Sequence, residues 1–121
     1  MTLGLVLGIG LAGGVGAVAR FVVDGAVATR AVSEFPLGTF VVNLSGAFAL
    51  GVLAGVAPGR DAFIVIGGGL LGGYTTFSTW MLETSDRARA GRLAVAALNV
   101  VASLALGLAA VWLGRRVGLA L

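Results

Sequence analysis

Apolar residues in this chain fall into four long runs, separated by short stretches that collect the charges and turn residues. The first run, residues 3–19, carries no charge and has glycine at Gly4, Gly8, Gly10, Gly13, Gly14 and Gly16. Met1 and Thr2 offer no positive side chain of the kind a signal peptide needs, so this run predicts a transmembrane helix ending at Arg20. From Asp24 to Phe35 the pattern turns amphipathic and predicts a short interfacial helix or loop. Pro36 suits a helix's first turn, where a missing N–H costs nothing, and predicts a second span over residues 37–57. A turn follows at Ala57-Pro58-Gly59-Arg60-Asp61. The third run reaches Glu83, and a polar stretch follows it over residues 84–92. The fourth run, residues 93–114, closes on Arg115 and Arg116 in the manner of a stop-transfer pair. Each run is close to the ~20 residues that a helix needs to cross a bilayer's hydrocarbon core.

The third run is unlike the others. Residues 67–83 read GGGLLGGYTTFSTWMLE, and the paired glycines and β-branched threonines weaken a helix in the middle of an apolar span. Lipid offers no partner to a cluster of hydroxyls. Backbone breaks at membrane depth only where protein covers it or where it lines a cavity. The pattern therefore predicts a broken helix, near Gly72–Thr75, that serves a site.

Composition agrees with the pattern. Of 121 residues, 59% are hydrophobic and 11% charged, whereas soluble domains run at about 45–50% apolar and ~25% charged. The 21 glycines read as close helix packing, because small residues let backbones approach one another in lipid. The fold expected is an all-α membrane protein of four transmembrane helices, with residues 1–121 forming one domain. With no cysteine and no histidine, thiolate chemistry and the commonest general base are absent. No nucleophile–base pair can be assembled, which argues against an enzyme. The basic residues are all arginine and are not interleaved with aromatics, so nucleic acid is not a partner.

Polar residues inside the runs lie at one-turn spacing: Thr39 with Asn43, Thr75 with Thr79, and Asn99 with Ser103. Singly, each has a structural reading, as a bond to its own helix or as a link between helices. Together, their amides and hydroxyls supply hydrogen-bond donors. Phe77 and Trp80 share a face and can present electropositive ring edges, and Arg20 adds a fixed positive charge. No acidic residue falls inside the runs as drawn, so the stripes suit a small anion rather than a cation. Carbonyls freed at the break could hold a cation. Arg60, Arg115 and Arg116 fall on one side of the membrane, and Arg30, Arg87, Arg89 and Arg92 on the other. So weak a bias permits insertion in both orientations.

Three stretches carry a family resemblance. They are Gly13 to Arg20 (GxxGAxxR), Phe35 to Asn43 (FPxGTxxVN, with Ser45-Gly46 after it) and Gly72 to Glu83 (GGYTTFSTWxxE). The chain resembles, over nearly its whole length, the Fluc fluoride channels, also called CrcB-like proteins. The resemblance implies an antiparallel dual-topology dimer in the plasma membrane, with two fluoride pores and a central structural sodium ion. The sodium ligands would be the backbone carbonyls of Gly72 and Thr75. Phe77 and Trp80 would form the aromatic box and Asn43 would line the pore. Thr39, Ser78, Thr79 and Ser103 would add polar groups, with Asn99 at a position that is tyrosine in some members. Arg20 would be the vestibule arginine and Glu83 the acidic residue after the box. Trp80 departs from the phenylalanine usual in the family, which admits a paralogous partner subunit as the alternative to a homodimer. The other alternative, a small multidrug-type four-helix transporter, needs a carboxylate deep in the first span.

Overall fold

The computed structural model describes all residues, Met1 to Leu121. It is all helical, with four spans: α1 (Leu3–Arg30), α2 (Leu37–Val56), α3 (Arg60–Arg89) and α4 (Leu93–Ala120). Thr2 caps α1 by accepting a hydrogen bond from the Leu5 amide at 3.2 Å. At the start of α2, Phe35 and Phe40 pack edge to face around Pro36 with centroids 5.2 Å apart. They occupy the positions of a hydrophobic staple and fix the angle at which the chain joins the helix. Ala57 ends α2 in the left-handed region at φ 51°. The proline after it disfavours the right-handed helical alternative.

Two boundaries differ from the sequence reading. The amphipathic stretch after Arg20 is not a separate interfacial element, because α1 continues through Asp24 to Arg30. Residues 21–30 contain no proline, and a single Gly25 among alanines does not stop a helix. Likewise α4 does not end at Arg115-Arg116 but runs on to Ala120. Arginine is a good helix former, so a charge pair can mark the membrane boundary without ending the helix. Each of these helices has 28 residues, roughly 42 Å at ~1.5 Å per residue, which outlasts a ~30 Å hydrocarbon core.

The third span is broken. It starts as an α-turn at Arg60–Phe63, widens to a π-helix over Ile64–Leu71 and returns to one α-turn at Gly72–Tyr74. Thr75 is then extended (φ −80°, ψ 164°), and helix resumes at Ser78–Arg89. The break thus begins at the far end of the expected window. Gly72 and Gly73 remain helical, and their neighbours explain why glycine is there: a Cβ on Gly73 would collide with the Gly13 carbonyl of α1.

Helix packing rests on such approaches. A Cβ on Gly16 would strike the Leu70 carbonyl, and one on Gly69 would crowd Ile9. Between α2 and α4, Gly51 faces the Val111 carbonyl, Gly55 faces Gly118, and Gly114 faces the Phe48 carbonyl. Backbones in such contact gain dispersion and weak Cα–H···O bonds without needing large side chains. The interior is accordingly small, and Val42 and Ala96 are its buried apolar residues. Large residues such as Leu11, Phe21 and Leu108 lie on the outside, as suits a surface solvated by lipid.

Candidate functional site

The break in α3 is held open by one side chain of α2. Asn43 donates through Nδ2 to the Thr76 carbonyl at 2.9 Å and accepts from the Thr76 amide through Oδ1, also at 2.9 Å. In an unbroken helix that amide would donate to the Gly72 carbonyl. Asn43 therefore substitutes for a missing helical turn. Without it, the two Thr76 backbone groups would lie unpaired, at about 1–3 kcal/mol each. The Thr76 hydroxyl in turn accepts from the Thr79 amide at 3.2 Å and so caps the helix that resumes at Ser78.

A second network ties that helix to α4. The Trp80 indole N–H donates to the Asn99 carbonyl at 3.3 Å. Asn99 Nδ2 donates to the Thr84 hydroxyl at 2.8 Å, which donates to the Trp80 carbonyl at 2.7 Å. Ser103 joins through Asn99 Oδ1. Asn99 is buried. Its amide is consumed in holding α3 to α4 and lines neither cavity beside the break. The Trp80 ring is oriented by its N–H and meets Phe77 edge to face, with centroids 5.8 Å apart. Phe77 is 70% exposed, an unusual position for the ring that leads a polar break.

Two cavities flank the break. A groove of about 410 Å³ on one side brings together Asn43, Gly72, Thr75, Phe77, Trp80 and Ser103. On the other side, a cavity of about 270 Å³ is lined by Arg20, Asp24, Thr39 and Thr79. Thr76 lines both and is the wall between them. Arg20 reaches the break through Nη1, which donates to the Thr75 carbonyl at 3.4 Å. The Thr39 hydroxyl donates to Glu83 in a short bond that joins α2 to α3. Ser78 is exposed and Thr79 half-buried, and neither hydroxyl is tied to another group of the chain.

The expected site residues thus separate into groove, mouth and scaffold. Two were missed. Thr76 stood inside the motif without a role, and only its pairing with Asn43 distinguishes it from Thr75. Asp24 was placed outside the first span, although its one-turn spacing from Arg20 was a signal that both lie on one helical face.

These features define a small polytopic membrane protein whose third helix is broken between two cavities. The chain belongs to the family described as CrcB-like protein, Camphor Resistance (CrcB), whose model matches residues 7–115. It is 53% identical over 115 residues to the fluoride-specific ion channel FluC 2 of Mycolicibacterium paratuberculosis, covering 95% of this chain and 94% of that one. It is 48% identical over 115 residues to FluC 2 of Mycobacterium tuberculosis, covering 95% and 91%. To FluC 1 of Rubrobacter xylanophilus it is 50% identical over 108 residues, covering 88% and 87%.

Proposed function

We propose that this chain is a fluoride channel that lets the anion leave the cytoplasm passively. The observation that carries the reading is the break in α3, with hydroxyl donors and aromatic ring edges along its two cavities. The family and its relatives' names support it. A small, strongly hydrated anion must exchange water for donors along its path. Arg20 draws the ion to one mouth, and Thr79 and Ser78 offer hydroxyls beside the break. The edges of Phe77 and Trp80 face it beyond, with Ser103 on the opposite wall. Asn43 acts here by holding Thr76, with its second amide hydrogen left for the ion. No energy coupling is required. An anion leaving a cell that is negative inside descends about 2.3 kcal/mol per 100 mV.

The working unit in this reading is an antiparallel, dual-topology homodimer. The exposed Phe77 and the open groove suit a site that a second copy completes. The even spread of arginines supports insertion in both orientations. A sodium ion would be held by the carbonyls of Gly72 and Thr75 from each copy. The Gly72 carbonyl suits a hard cation, having lost its helical donor to Asn43, whereas the Thr75 carbonyl would share its oxygen with Arg20; both residues line the groove. No cluster of acidic side chains offers an alternative metal site. When bound, the ion supplies a fixed positive charge at the centre of the dimer. A paralogous partner subunit is the second reading, and Trp80 in the aromatic pair favours it.

A bacterium stripped of its own fluoride export tests the proposal. With this chain in its membrane it should grow at fluoride concentrations that stop the parent strain. Unchanged sensitivity, with the protein present in the membrane, would contradict it. Labels on one terminus should be reached from both sides of the membrane, and labelling from one side alone would remove dual topology.

A further inference from the structure

Asp24 is a carboxylate on the path of an anion, and no function described so far uses it. It lies one turn beyond Arg20 on the same face of α1. It lines the 270 Å³ cavity together with Arg20. It also lines a neighbouring cavity of about 250 Å³, which Glu83 and Arg87 share. Asp24 therefore stands between the outer cavity and the one that leads to Arg20.

Its position is held. Gly38, in the first turn of α2, has no side chain, and a Cβ there would collide with the Asp24 carboxylate and lie 3.1 Å from the Asp24 carbonyl. The glycine forms the notch in which the carboxylate sits. Asp24 is not neutralised by a contact pair, since the chain's one ion pair joins Arg92 to Glu34 at the surface. Of the other charges facing this region, Glu83 is engaged by Thr39, and Arg87 donates to the Glu83 and Glu34 carbonyls. Arg20 and Asp24 thus face the same cavity with opposite signs, and an anion drawn by the first must pass the second.

We propose that Asp24 governs anion access at the channel mouth, a fixed negative charge that limits how readily anions reach Arg20. The inference rests on the fluoride-channel reading. Asp24→Asn preserves shape while removing the charge, so the notch at Gly38 still fits it.

The test uses the purified chain in liposomes, with fluoride flux measured against fluoride concentration in low and high concentrations of an impermeant salt. At low salt, Asp24→Asn should lower the half-saturating fluoride by about three- to tenfold and leave the maximal rate unchanged. The difference should shrink towards nothing near 1 M salt, where the screening length falls to ~3 Å. Asp24→Glu keeps the charge and should retain the wild-type salt dependence. A wild-type flux that Asp24→Asn leaves unchanged at low salt, or alters equally at all salt concentrations, overturns the inference alone. Wild-type liposomes that pass no fluoride overturn the channel reading and the inference with it.

Discussion

Two helix crossings in this molecule are built on glycine, and they come to opposite ends. Where α2 meets α4, Gly51 faces the Val111 carbonyl, Gly55 faces Gly118 and Gly114 faces the Phe48 carbonyl, and both helices remain regular throughout. Where α1 meets α3, Gly13 faces Gly69 and Gly73 and Gly16 faces the Leu70 carbonyl, yet α3 first widens to a π-helix and then breaks. Small residues explain the closeness in both places and the break in neither. The difference lies in what replaces the lost backbone bonds. Beside the second crossing, Asn43 of α2 supplies both partners for Thr76, whereas nothing at the first competes with the helix's own bonds. Proximity comes from glycine, and departure from the helix comes from a polar side chain in register with the gap.

The largest effect should come from spoiling the regular crossing. Gly114→Leu places a side chain where the Phe48 carbonyl already sits and should destabilise the fold by about 3 kcal/mol or more. Thermal unfolding in detergent would read this, and an unchanged midpoint would mean that α2 and α4 are not in backbone contact. Asn43→Asp acts selectively on the break beside the other crossing. It turns the donor to the Thr76 carbonyl into an acceptor and should cut fluoride flux by about a hundredfold in protein that still folds. Wild-type flux in that variant would separate the break from function. Phe77→Ile keeps apolar bulk but removes the ring edge, and a loss of about tenfold is expected in the same flux assay. Full flux in Phe77→Ile would put the path on another face of the helix.

Trp80→Phe should have the smallest effect, a rise of about two- to threefold. The indole N–H is spent on the Asn99 carbonyl and is not a donor to the ion, so its loss frees the ring. A fall in flux would mean that the anchored orientation is what the ion needs.

Much of this was legible in the residues. The four spans follow from apolar run lengths, and the broken third helix from glycines and threonines inside one of them. The glycines read as packing positions, as Gly51, Gly55 and Gly114 prove to be, but Gly118 lay beyond the fourth run as the pattern drew it. What the pattern hid was competition for hydrogen bonds. Asn43 and Asn99 both read as donors open to an ion, but each is tied to a partner that sequence spacing does not reveal, as is the Trp80 indole N–H. The length of α1 was hidden for another reason. A charge pattern marks where lipid ends, whereas helix propensity decides where the helix ends, and between Arg20 and Arg30 the two part company.

A path selective for fluoride should form from this single chain alone. The most direct test is flux from liposomes containing the purified protein and no other, loaded with fluoride and, separately, with chloride. The account predicts rapid fluoride efflux down its gradient and negligible chloride efflux. Equal flux of the two anions, or flux of neither, would contradict it.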